Sequence, residues 1–410
     1  MPETKISAAT FPDSKPHYEI LDGLRGVAAV MVVIFHIFEF HTITREENFV
    51  AHGYLAVDFF YALSGFVIAY AYDDRWKKRP LPTLPTREGV SGMSIWAFVK
   101  RRLIRLHPMV VFGTLVGTLL FYLSATSGVP FDDGGTSFYP LVSQTPWWAL
   151  ILAMLAGMLM LPTPPALDYR GIGEMYALNS PAWSLFFEYI ANLLYGLFVR
   201  RFSKTMLSVL VALSAGTLLY FSTFHYGNIN FGWQCSQENL LMGIVRVMYP
   251  FFAGVLLYRL KRLTRVKNGF LWCSLILVVM LAVPPLASNG LYESPLWING
   301  LYESLTIIAV FPLIVYLGAS SKVTGKYASK ICKFLGEISF PLYMVHYPLM
   351  YVYGGWVIEK NASIADVYVE AILVVVVSVA LAYAALKLYD EPLRSYLSKR
   401  FISNQKIEKQ

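Results

Sequence analysis

Between Leu21 and Phe40 the chain reads LDGLRGVAAVMVVIFHIFEF, apolar enough for the interior of a bilayer yet carrying Asp22, Arg25, His36 and Glu39. Ionisable groups in hydrocarbon cost several kcal/mol unless they pair with one another or face a water-filled cavity, so their presence marks a working site. Apolar runs of this kind recur as far as residue 388, and no polar stretch between them is large enough to bury a core of its own. The pattern predicts an all-α integral membrane protein, with one membrane domain over residues 20–392 between an N-terminal tail at 1–19 and a C-terminal tail at 393–410. Only 15% of the residues are charged, against roughly a quarter in soluble domains.

Eleven runs are candidate spans, beginning near residues 20, 54, 107, 147, 182, 206, 240, 269, 300, 334 and 366. Eleven crossings would scatter the basic loops over both sides of the membrane, against the cytoplasmic excess of Lys and Arg that sets orientation. The shortest run, WWALILAMLAGMLMLP at about 147–162, lies between two prolines and reads as a re-entrant or interfacial helix. Without it as a crossing, 28 of the 34 Lys and Arg fall on one side, three (Arg45, Arg170, Lys360) on the other, and three (Arg25, Arg246, Lys387) within spans. The expectation is a polytopic bundle of ten full transmembrane helices plus that short helix, with both termini cytoplasmic. The outer segment at 126–181, with GVPFDDGG on one flank of the short helix, is long enough to bind something.

The net charge of +8 is spread over short loops, so its expected partners are anionic lipid headgroups of the bilayer or a phosphorylated ligand, and no nucleic acid. Cys235, Cys273 and Cys332 are far apart, which indicates neither a disulfide framework nor a metal site. The chain has no GxSxG, HExxH, GxxxxGK[ST] or post-strand GxGxxG pattern, so hydrolase, metalloprotease and NTPase readings fall away.

Arg25 and His36 are eleven residues apart, which on a helix returns to within about 20° of the same direction after a rise of about 16 Å. Asp22 and Glu39 flank that line, so the first span carries a polar stripe; the plain alternative is that Arg25 snorkels and His36 bonds a carbonyl. Asp58 enters from the outside at the depth His36 reaches from within, so the two could meet and Asp58 could set the tautomer of a general base, or it could bond local backbone. Ser184 and Glu188 lie one turn apart after Pro181, with an ion pair between Glu188 and Arg246 as the structural reading. On the cytoplasmic side KRRLIRLHP holds Arg101, Arg102 and Arg105, of which Arg102 and Arg105 share a face and could grip phosphates or serve as ordinary inside anchors. Tyr343 and His346, one turn apart in LGEISFPLYMVHYP, suit either a satisfied core pair or a substrate wall.

Taken together and in order, LDGLRGVAAVMVVIFH, VDFFYALSGF, KRRLIRLHP, PAWSLFFEY, LGEISFPLYMVHYP and the closing DEP are similar to the motifs of the membrane acyltransferase family three, over almost the whole chain from Leu21 to about Pro392. The resemblance implies an acyl-CoA donor, commonly acetyl-CoA, transfer to a hydroxyl, often on a glycan or other exported or lipid-linked acceptor, and a bacterial inner membrane. It implies that Arg25 and His36 are essential. Catalytic roles are expected at His36, Arg25, Asp58, Glu188 and Ser184, donor binding at Arg101, Arg102 and Arg105, and substrate contacts at Trp183, Asn179, Tyr343, His346 and Arg246. Longer members carry a fused outer esterase-like domain that is not expected here, since about twenty residues follow the last span. The competing expectation is a transporter or flippase, although no internal repeat is visible. The oligomeric state, the acceptor and the acyl chain are not written in these residues.

Overall fold

A computed structural model describes residues 18–41, 50–77, 92–124, 145–164, 169–170, 172–260, 266–284, 286, 296–360 and 362–402. Most of the expected N-terminal tail, the end of the C-terminal tail, GVPFDDGG and the basic segments at 78–91 and 261–265 lie outside them. The described residues are helical apart from turns and a single antiparallel bridge between Glu174 and Gln234.

The helices are α1 (Glu19–Glu39), α2 (Ala56–Tyr72), α3 (Ile95–Ser124), α4 (Trp147–Met158), α5 (Ala182–Leu197), α6 (Lys204–Leu219), α7 (Gln237–Leu260), α8 (Gly269–Ala282), α9 (Leu296–Leu305), α10 (Phe311–Ser320), α11 (Lys326–Lys360), α12 (Tyr368–Ala385) and α13 (Glu391–Phe401). Wide π-turns follow α6, join α9 to α10 and join α12 to α13. Among the described residues, seven helical segments are long and apolar enough to cross a membrane, so the chain is an integral membrane protein. The segment expected to lie in the membrane without crossing is α4, whose 12 residues reach about 18 Å where the hydrocarbon needs about 30 Å. It packs on α3, with Gly157 over the Thr114 side chain.

Two parallel helix pairs form the centre. In the first, α1 and α11 run side by side in the same direction, and contacts step along both together. Ser329 Oγ donates to Glu19 at 3.1 Å, Arg25 Nε donates to Ser339 Oγ at 2.8 Å, the rings of His36 and His346 stack 5.5 Å apart, and His41 Nε2 lies 2.6 Å from the Tyr353 hydroxyl. Ser339, His346 and Tyr353 are seven residues apart, the repeat that keeps one face of a helix on its partner. In the second pair, α2 and α7 approach so closely that a Cβ on Gly65 would overlap the Phe251 carbonyl oxygen. Small residues of this kind let membrane helices touch backbone to backbone.

That approach brings Asp58, in the first turn of α2, against Arg246 of α7. Arg246 Nη2 and Nε donate to the two Asp58 oxygens at 2.6 and 3.2 Å, and both side chains are 0% exposed. The remaining guanidinium donors bond the carbonyls of Phe231 at 2.7 Å and Tyr54 at 3.1 Å, and Trp183 covers it at 5.0 Å. The expected meeting of Asp58 with His36, and of Glu188 with Arg246, is therefore replaced by an Asp58–Arg246 pair, because α2 lies on α7 closely enough for both carboxylate oxygens to be bonded by one guanidinium.

Lipid-facing surfaces lie at the periphery. On α6, Met206, Val209 and Leu213 are exposed, and on α12 Val369, Ile372, Leu373 and Val376 are exposed. In water such a surface would drive aggregation, whereas hydrocarbon accepts it.

Two outcomes test this packing by thermal unfolding in detergent. Gly65→Ala is expected to destabilise the fold by about 1–3 kcal/mol through overpacking, and an unchanged midpoint would contradict the α2–α7 contact. Asp58→Leu leaves a buried guanidinium unpaired and is expected to cost about 3–5 kcal/mol, with less cost when Arg246→Met removes that charge as well. A double variant weaker than Asp58→Leu alone would contradict the pair as a buried lock.

Candidate active site

A cavity of about 530 Å³ runs inward between α1, α2, α3, α5, α11 and the turn joining α12 to α13. Along α11 its lining steps from Ser329 through Lys333, Gly336 and Ser339 to Tyr343, fourteen residues or about 21 Å of helix. At its wide end stand Lys333, whose side chain is 76% exposed, with Glu391 and Arg394. Its inner end is closed by Val57, Phe60, Tyr61, Ser184 and Tyr343.

Each polar group on the wall is placed by a helix contact. Arg25 bonds the Gly336 carbonyl at 3.0 Å as well as Ser339, and pairs with Asp22 at 3.1 Å, so its guanidinium is held against α11 while still lining the cavity. Glu188 of α5 accepts from Arg102 Nη2 at 2.8 Å and from Ser64 Oγ at 2.6 Å. The two arginines read as a pair in the sequence thus separate. Arg102 is buried and paired with Glu188, whereas Arg105, which also lines the cavity, is exposed into it and has no hydrogen-bond or ion-pair partner among the described residues. A guanidinium in such a place, near those of Arg25, Arg102 and Arg394 in the same lining, is a ready donor to phosphate oxygens. Arg101 does not line this cavity, and its Nε has no partner.

At the inner end the hydroxyls of Ser184 and Tyr343 lie 2.8 Å apart. Ser184 Oγ also bonds the Pro181 carbonyl at 3.0 Å, and Tyr61 donates to the Ser184 carbonyl at 3.0 Å. Ser184 and Glu188 do share a face of α5, as their spacing predicts, since both line the same cavity.

Beyond this layer lies His36, which is not among the lining residues. The Tyr343 ring is 5.9 Å from His346, and His346 stacks 5.5 Å from His36, so two aromatic rings separate His36 from the cavity end. Its Nδ1 is 2.8 Å from Glu39 Oε2 and its side chain is 16% exposed. A carboxylate on Nδ1 fixes the tautomer that leaves Nε2 as a base. Tyr347 meets the same ring edge-on at 4.6 Å. His346 is fully buried, with Nδ1 3.0 Å from the Leu342 carbonyl oxygen and Nε2 without a partner among the described residues. It is therefore not a fully satisfied core histidine.

Of the other expected substrate contacts, Asn179 donates to the Met344 carbonyl at 3.0 Å and its Oδ1 has no partner among the described residues. Trp183 and Arg246 lie together in the dry lock between α2 and α7 and do not line the cavity. Ser64, Ser339 and Asp390 are among the wall groups that were not singled out from the sequence. Ser64 and Ser339 are single hydroxyls inside apolar runs, a signal too common in membrane helices to select them.

Acyl transfer needs a base for a hydroxyl, donors for a developing oxyanion and a grip on the leaving group. The histidine–carboxylate dyad, the Ser184–Tyr343 hydroxyl pair and the cationic wall supply groups of those three kinds within one bundle. Comparison with known proteins bears on this directly. A family model described as "Acyltransferase domain", of the acyltransferase-3 type, matches residues 18–387. The O-acetyltransferase OatA of Staphylococcus aureus is 23% identical over 397 residues, covering 93% of this chain and 58% of that protein. A putative peptidoglycan O-acetyltransferase, YrhL of Bacillus subtilis, is 23% identical over 395 residues, covering 92% of this chain and 54% of its own length. Protein 2 in the picA locus of Rhizobium radiobacter is 34% identical over 202 residues, which cover 49% of this chain and 92% of that protein. The chain thus spans little more than half the length of the two O-acetyltransferases, and no solved structure matches it. The match over residues 18–387 takes in α1 through α12, and the chain belongs to the acyltransferase-3 family.

Proposed function

We propose that this protein is a membrane O-acyltransferase that takes an acyl group, acetyl foremost, from cytoplasmic acyl-CoA and passes it to a hydroxyl of a glycan or other exported or lipid-linked acceptor. The observation that carries the reading is the depth of the cavity. It follows α11 for about 21 Å from a wide charged end to the Ser184–Tyr343 pair, a shape suited to a long ligand with phosphates at one end and a thioester at the other. Family membership favours this over a transporter. In keeping with it, ten crossings are proposed, with α5, α8 and α11 completing the seven long apolar segments, both termini cytoplasmic and the bacterial inner membrane as the location.

In this reading Arg105 meets the donor phosphates and Arg25 faces the donor from α1. The hydroxyls of Ser184 and Tyr343 stand where the acyl carbonyl would arrive and can donate to its oxygen as negative charge develops. His36, oriented by Glu39, takes the acceptor hydroxyl proton on Nε2 as that oxygen attacks the carbonyl carbon. The C–S bond breaks, His36 gives the proton up to the departing thiolate and is a base again, and the thiol leaves through the cavity by which it came. For His36 to reach the carbonyl, the Tyr343 and His346 rings must move aside, which ties the base to the movement of α11 side chains. Glu188 holds Arg102 and Ser64 in the wall, and Asp58 and Arg246 keep α2 in register with α7.

Transfer of radiolabelled acetyl from acetyl-CoA to surface glycan by membrane vesicles tests the reading. His36→Ala at matched protein levels is expected to lower turnover by about 10²–10⁴-fold, and undiminished turnover would remove His36 as the base. Arg105→Ala is expected to weaken CoA binding by about 10-fold or more, as for other hydrogen bonds to charged groups. Unchanged CoA affinity would place the phosphates elsewhere.

A further inference from the structure

One group on the cavity wall has no task in that reading. Asp390, first residue of the DEP motif, ends the π-turn Leu386–Asp390 that joins α12 to α13. It is 1% exposed and lines the cavity. One oxygen, Oδ2, pairs with Arg394 Nε at 3.1 Å, while Oδ1 has no hydrogen-bond partner among the described residues. A buried carboxylate oxygen without a donor is destabilising, and native proteins keep few of them. π-turns recur at functional sites, where the extra residue re-aims a side chain. Both observations point to an acceptor kept for a ligand.

Its depth says which part of a ligand it would meet. Arg394 is one turn nearer the wide end. The ring of the neighbouring Tyr389 packs 5.2 Å from Phe112, seven residues further along α3 than Arg105. Tyr389 is thus packed further in than Arg105, and Asp390 stands beside Arg105 on the same wall. A carboxylate there repels phosphate and attracts a neutral hydrogen-bond donor. If phosphates rest on Arg105, the stretch of ligand that passes Asp390 is the pantetheine arm, which carries two amide N–H groups before the sulfur.

Resting on the acyl-CoA reading above, we propose that Asp390 Oδ1 accepts a hydrogen bond from an amide N–H of the pantetheine arm, which makes Asp390 a donor-binding residue that selects thioesters on that arm. The polarity of the cavity follows: cation for the phosphates first, anion for the amide next, hydroxyl pair for the acyl carbonyl last.

The test is binding of CoA to the purified full chain in detergent by calorimetry, alongside two CoA analogues in which one or the other amide N–H is replaced by an ester oxygen. Wild-type protein is expected to bind one of the analogues about 10- to 100-fold more weakly than CoA, the range for a hydrogen bond to a charged group. Asp390→Asn is expected to shrink that ratio to within about threefold, since a neutral amide acceptor is weaker and can turn its own N–H to an ester. Equal wild-type affinity for CoA and both analogues overturns the proposal, with or without a folded variant. So does a variant that weakens all three ligands by one common factor, the behaviour of a residue that only holds Arg394. Failure of wild-type protein to bind CoA at all would instead overturn the acyl-CoA reading on which the proposal rests.

Discussion

The structure depends on α1 and α11 lying parallel with their polar groups in register. Glu19 meets Ser329, Arg25 meets Gly336 and Ser339, His36 meets His346, and His41 meets Tyr353. No single contact of this ladder dominates, because a hydrogen bond contributes about 0.5–1.5 kcal/mol net between neutral groups and about 1.5–3 kcal/mol where a charged group such as Arg25 or Glu19 takes part. Their order matters more: a shift of one helix by a turn would strand a guanidinium and an imidazole in hydrocarbon, which costs several times as much. Register is thus enforced by the penalty for error. The same register places Arg25 on the cavity wall and His36 just past its inner end, so the packing constraint and the proposed chemistry have one cause.

Around this axis the ionisable groups divide by their surroundings. Asp58 and Arg246 are dry, and the guanidinium has further carbonyl partners, so that pair holds helices together. Glu188 and Arg102 are mostly buried but border the cavity, with Ser64 as a third member. Among the described residues Arg105 stands on the wall without a hydrogen-bond or ion-pair partner, and Asp390 is half satisfied beside it in the same lining. Burial with full pairing gives rigidity, and incomplete pairing on a cavity wall gives groups that a ligand can complete. By that division the inner bundle is a scaffold, and the proposed chemistry falls on a column between Arg105 and His36.

Much of this column was legible in the sequence. Helical periodicity puts Arg25 and His36 on one face, and both do turn to α11; Ser184 and Glu188 likewise share a face that reaches the cavity. Long apolar runs and their prolines mark the helices, and the short run after Pro146 is the short helix α4. Partner choice was not legible. Asp58 goes to Arg246 and Glu188 to Arg102 because of how α2 lies on α7 and α5 on α3, a choice made by backbone approach at Gly65 that no local pattern encodes. Nor does spacing reveal that Arg102 and Arg105, three residues apart, have opposite fates. Asp390 was visible only as part of DEP, since the π-turn that brings it to the cavity has no simple composition signal.

In the proposed function a thioester donor lies along α11 with its phosphates toward Arg105 and its sulfur toward the Ser184–Tyr343 pair. A cryo-electron microscopy map of the protein with a non-transferable acetonyl thioether of CoA tests it most directly. The expected result is density filling the cavity, with the diphosphate on Arg105 and the thioether sulfur against the two hydroxyls, two aromatic rings from His36. Density outside the cavity, or phosphates at the inner end, would contradict it.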